Sequence, residues 1–94
     1  MRIVAVCGAG IGTSAILQVN AERALSRLGL TADVTASDLE HVADAAADAQ
    51  VILTSTELAD AVRRAIGRSF AEIIEVVNYF DVDEIGGKLE ASLA

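Results

Sequence analysis

The sequence predicts an α/β fold: a four-stranded parallel doubly wound sheet in the order 2-1-3-4, with helices on both faces. Three observations predict it. Short β-rich runs alternate with stretches of helical periodicity along the chain, which is the pattern of βαβ units. The first and third runs, Ile3-Val4-Ala5-Val6 and Gln50 to Thr54, are nearly unbroken apolar, as strands covered on both faces are. Right-handed crossovers leave few ways to assemble four such units, and the common doubly wound arrangement stopped after four strands gives 2-1-3-4.

Each element has its own signal. Thr13 to Leu28 places Leu17, Ala21, Ala24, Leu25 and Leu28 on one helical face, and Gly29 follows as a C-terminal stop. Thr31 to Ala36 reads as a second strand of weaker pattern. Ser37-Asp38-Leu39-Glu40 has capping-box spacing and predicts a short helix through about Ala47. Leu58, Ala61, Val62, Ala65 and Ile66 trace a helical face closed by Gly67. Glu72 to Val77 is the fourth strand, and Asp81-Val82-Asp83-Glu84 caps a last helix with Val82, Ile85, Leu89 and Leu93 inward.

Composition narrows the function classes. The 94 residues are expected to form a single domain over 1–94, and a hydrophobic content of 53% argues against disorder. A net charge of −7 supplies little that would neutralise phosphates, and one Tyr with two Phe supplies few stacking surfaces, so nucleic acid is not an expected partner. No apolar run reaches membrane-spanning length, so no direct membrane insertion is expected. The single Cys excludes an internal disulfide and fits a reducing, cytoplasmic setting. No Cys/His/Asp spacing points to a metal, and no cofactor is expected.

Chemistry concentrates in Cys7-Gly8-Ala9-Gly10-Ile11-Gly12-Thr13-Ser14, which joins the first strand to the first helix at the predicted switch point. Alternate glycines let the backbone turn tightly and aim successive N–H groups at one point, forming an anion nest. The helix that follows adds its positive end, and Thr13 and Ser14 offer hydroxyls. That field is expected to favour the thiolate of Cys7, the nucleophilic form. One loop would then activate a nucleophile and hold a phosphoryl group attached to it.

Other readings of the loop stand beside this one. Cys7 can be a small buried hydrophobe in a plain strand-to-helix turn. A dinucleotide fingerprint would need Gly or Ala where Thr13 stands, and the chain lacks a second cofactor-binding half. A tyrosine-phosphatase-like loop would need Arg at that same position, to clamp phosphoryl oxygens during hydrolysis. Without it the loop suits holding a phosphoryl group and passing it on.

On these residues the chain resembles the IIB components of the bacterial phosphoenolpyruvate-dependent sugar phosphotransferase system, whose fold resembles that of low-molecular-weight phosphatases. The likeness rests on Ile3 to Val6, the signature from Cys7 to Ser14 and the stretch Val76-Val77-Asn78-Tyr79-Phe80-Asp81-Val82-Asp83-Glu84-Ile85. It looks most like the ascorbate-type branch, with galactitol-type and mannitol-type proteins close behind. The resemblance implies a phosphotransferase that takes a phosphoryl group from a IIA phosphohistidine onto Cys7. It implies onward transfer to a sugar or sugar-like substrate bound by the membrane IIC component. By the same resemblance the main chain of Gly8, Ala9, Gly10, Ile11, Gly12, Thr13 and Ser14 forms the phosphate cradle. The alternatives are a small cysteine-dependent phosphatase and a IIB-like regulatory binding module.

The remaining candidates have plainer readings. His41 reads as a solvated helix residue, and Arg63, Arg64 and Arg68 as a solvated cationic helix end. Thr54-Ser55-Thr56 reads as an N-cap at the same rim as the loop, with a hydroxyl near the phosphate as a second reading. Tyr79 and Phe80 end the fourth strand at that rim, either packed under the last helix or in contact with a partner.

Overall fold

The computed structural model describes residues 1–7, 11–67 and 71–93. Along the chain run β1 (Arg2–Val6), α1 (Ile11–Leu28), β2 (Asp33–Ser37), α2 (Val42–Ala45), β3 (Val51–Ser55), α3 (Ala59–Ile66), β4 (Glu72–Val76) and α4 (Val82–Leu93). The strands form one four-stranded sheet in the order β2-β1-β3-β4, as the sequence predicts. All three pairings are parallel, with Val4 beside Thr35 of β2 and Ile52 of β3.

Side-chain alternation along the central strands divides the interior in two. Ile3, Ala5 and Cys7 point to one face with Val51 and Leu53, where Leu17, Ala21, Ala24 and Leu25 of α1 and Ile85 and Leu89 of α4 cover them. Val4, Val6 and Ile52 point to the other face, against Val42, Ala46 and Ala49 and against Val62 of α3. The period of two thus assigns Cys7 to the α1/α4 side. Gly86 of α4 faces Ala24 of α1, and a Cβ there would make an ordinary contact at 3.6 Å with Cβ of Ala24.

Helix ends follow local chemistry, with two corrections. Gly29 takes φ of 71°, and Leu30 N donates to Leu25 O at 3.0 Å, the wrap that ends α1 with a glycine. The capping box at Ser37 does not form. Ser37 belongs to β2, while Asp38 Oδ1 accepts from His41 N at 2.8 Å and so makes a turn; α2 spans only Val42–Ala45. The α3 face also differs, because residues 56–58 form a turn and the helix starts at Ala59. That start buries Ala59 and Val62 and leaves Ala65 exposed. At α4, Asp81 Oδ1 caps Glu84 N at 3.1 Å as expected.

Candidate active site

β1 delivers Cys7 to the carboxyl-end rim of the sheet, where it is 1% exposed. Gly8, Ala9 and Gly10 lie outside the described residues. Ile11, Gly12, Thr13 and Ser14 form the first turn of α1, so the helix begins two residues earlier than the sequence pattern indicates. The first four amides of a helix have no partner within it, so this turn presents its donors and its positive end at the rim.

The ends of β3 and β4 meet Cys7 there. Tyr79 packs on the cluster that contains Cys7, and its nearness to Cys7 and Ser55 shifts the titration of both Tyr79 and Cys7. Ser55 Oγ also accepts from Leu58 N at 3.2 Å. Beside it, buried Thr54 donates from Oγ1 to Val6 O at 3.0 Å and ties β3 to the residue before Cys7. Asn20 of α1, which is buried, donates from Nδ2 to Tyr79 O at 2.6 Å. Behind the rim, the Glu84 carboxylate accepts from Val77 N at 2.7 Å and Asn78 N at 3.0 Å, and Asn78 Oδ1 accepts from Phe80 N at 3.0 Å.

Two effects act on the Cys7 sulfur in opposite directions. Burial pushes the Cys7 thiol above its ordinary value of 9.0, and the Tyr79 hydrogen bond pulls it down by less. Burial therefore favours the protonated thiol at rest. Tyr79 is pushed up to about 12, by burial first and then by its bond to Cys7, so it also stays protonated.

The other candidates separate cleanly. His41 is exposed and pairs through Nδ1 with Asp38 Oδ1 at 2.7 Å, a contact that raises the imidazole's pKa. Arg63 pairs with Asp60 at 2.9 Å and Glu75 at 3.5 Å, Arg64 is exposed, and Arg68 lies outside the described residues. Of the adjacent aromatics, Tyr79 turns inward and Phe80 is 72% exposed beside Ile16 and Val19 of α1. Asn20 is the site residue that pattern reading missed. Its available signal was a polar side chain three residues after Leu17, within the apolar stripe of α1. Among the described residues no His/Cys/Asp/Glu group could hold a metal ion, and no helix is long and apolar enough to cross a membrane.

Comparison with known proteins agrees with this geometry. The sequence model of the family described as "PTS system, Lactose/Cellobiose specific IIB subunit" matches residues 2–91. The ascorbate-specific PTS system EIIB component of Mycoplasma pneumoniae is 31% identical over 85 residues, covering 90% of this chain and 86% of the relative. The lactose-specific IIB component domain of the phosphoenolpyruvate:carbohydrate phosphotransferase system from Streptococcus pneumoniae superposes with a TM-score of 0.74 at 15% identity. That alignment covers 99% of this chain and 94% of that domain, and it establishes a shared fold. The IIB components of this system are phosphotransferases that work with IIA and IIC components. By its family match and its relative, the chain belongs to the IIB components of the phosphotransferase system.

Proposed function

We propose that this protein, acting as one unit over residues 1–94, accepts a phosphoryl group on Cys7 from a phosphohistidine of its IIA partner and passes it to a sugar-like substrate held by IIC. The observation that carries the reading is the position of Cys7. It ends β1 at the switch point of the sheet, directly before the residues that lead into the first turn of α1. In the accepting step the P–N bond of the donor breaks, an S–P bond forms, and the thiol proton ends on the departing imidazole nitrogen. A thiol that keeps its proton at rest suits this balance. The main chain from Gly8 to Ser14 serves as the cradle for the phosphoryl oxygens.

The ascorbate-type branch is the substrate reading with the most support, through the Mycoplasma pneumoniae relative and the form of the loop. The family description names lactose and cellobiose instead, so a disaccharide is the second reading. The absence of arginine at position 13 disfavours a free-standing phosphatase. The single cysteine fits work in a reducing cytoplasm.

Incubation with phosphorylated IIA, followed by intact-mass measurement, tests the acceptor. Wild type gains one phosphoryl group and Cys7→Ser gains none; an equal gain in the variant overturns the assignment. Adding membranes that contain the cognate IIC, with ascorbate or cellobiose, then identifies the substrate by which sugar discharges the carrier.

A further inference from the structure

An apolar patch lies beside the rim that carries Cys7. Phe80, 72% exposed, follows β4, and exposed Ile16 and Val19 stand in the N-terminal half of α1. Between them runs an open groove of about 310 Å³, lined by Ala15, Ile16, Val19, Asn20 and Phe80. The turn that bears Phe80 is fastened on both sides. Asn78 Oδ1 accepts from Phe80 N at 3.0 Å, Asn20 holds the carbonyl of Tyr79, and Asp81 N donates to Asn78 O at 3.0 Å. Folding thus fixes a large ring in water rather than burying it.

Charge is sorted along the same axis. The connections that follow the four strands, residues 7–10, 38–41, 56–58 and 77–81, contain no Lys or Arg. They carry Asp38, Glu40, Glu57 and Asp81, and Asp38 pairs with His41. Arginines collect at the opposite end: Arg2 opens β1, and Arg27, Arg63 and Arg64 stand in the last turns of α1 and α3. The apolar patch therefore borders an acidic rim.

We propose that this patch and rim dock on the cytoplasmic face of the membrane component IIC, with Phe80 as the apolar anchor and the acidic connections against Lys and Arg of its loops. Loops that a membrane protein leaves on the cytoplasmic side carry an excess of Lys and Arg. Such a surface complements a rim whose connections are acidic. No general rule gives a soluble donor such as IIA that sign, so charge favours the membrane component. Lipid is the wrong occupant, because anionic headgroups repel these carboxylates and a net charge of −7. An aromatic anchor with charged groups around it is the usual layout of a protein interface.

The inference rests on onward transfer from Cys7 to a substrate held by IIC. A phosphoryl group on Cys7 adds negative charge to a rim without Lys or Arg, and Thr13 stands where a clamp would have arginine. Cations of IIC then supply that clamp. The loaded carrier binds more tightly than the empty one, which is released after transfer.

Binding of the unphosphorylated protein is measured against cognate IIC in discs of neutral lipid, empty discs of neutral or anionic lipid, and IIA alone. Wild type is expected to bind the IIC discs and neither empty disc, and to bind severalfold more weakly as salt rises to about 0.15 M. Phe80→Ala weakens IIC binding about tenfold. Glu40→Gln/Glu57→Gln, two exposed positions, weakens it about threefold and flattens the salt response. Wild-type affinity for IIC in Phe80→Ala, an unaltered salt response in the double variant, or an equal tenfold loss toward IIA overturns the assignment. Binding to anionic lipid alone does so too, as does a wild-type dimer that Phe80→Ala dissociates in light scattering. Melting temperatures are followed in parallel, and if Phe80→Ala fails to fold, Val19→Gln on the other wall of the groove takes its place. Phosphoryl uptake by Cys7→Ser would sink the acceptor reading and leave these binding results as they stand.

Discussion

Asn20 Nδ2 donates to the carbonyl oxygen of Tyr79 at 2.6 Å, joining the middle of α1 to the segment that leaves β4. This bond spans 59 residues of sequence and ties down the main chain of the residue whose ring packs on the cluster that contains Cys7.

Replacing Asn20 with Ala should therefore act on both stability and the site. A buried amide is lost and a carbonyl loses its donor, at a cost of about 2 kcal/mol. Urea unfolding measures that loss. The pH midpoint for alkylation of Cys7 by iodoacetamide should rise as well, since the contact of Tyr79 that pulls the thiol down is loosened; a stability loss with an unchanged midpoint would show the Asn20 bond to be purely structural.

Glu84 organises the same segment from below. Burial pushes its carboxyl upward, but bonds from Lys88, Val77 N and Asn78 N, together with the Lys88 charge, outweigh burial and hold it below its ordinary 4.5. A carboxyl depressed in the folded state contributes stability above its unfolded pKa, and that contribution is lost as pH falls through the folded value. Glu84→Ala should cost about 2 kcal/mol near neutral pH and flatten the decline of stability below pH 4.5. Denaturant midpoints across the acid range check both statements.

Alkaline pH should weaken the fold through buried Cys7 and half-buried Tyr79. Cys7 is raised above 9.0 and Tyr79 from 10.0 to about 12, so the native state holds protons that the unfolded chain releases. Their contribution is complete below pH 9.0 and is lost progressively as pH rises towards 12. In Tyr79→Phe the part of this loss that begins near pH 10.0 should vanish, which pH-resolved urea unfolding would detect.

Much of the architecture was legible because it depends on short periods. Two-residue alternation and unbroken apolar runs identified the strands, and the stripe from Leu17 to Leu28 identified the buried face of α1. Boundaries were less legible where two local bonds compete. Asp38 took the His41 amide for a turn, so the capping box at Ser37 never formed. At α3 the Ser55 hydroxyl served a turn, and the helix began at Ala59, leaving Leu58 outside the helical face expected of it.

The sequence by itself determined where Cys7 stands: at the end of an apolar strand, before a glycine-rich turn, with no arginine six residues on. Those are local facts, carried by neighbours in the chain. Only the tertiary structure decided how the sulfur is treated. Burial among α1, α4 and the sheet raises its pKa, and Tyr79 reaches its cluster from the turn after β4, far away in sequence. Desolvation and hydrogen-bond direction depend on what surrounds a group in space, and no spacing rule along the chain encodes them.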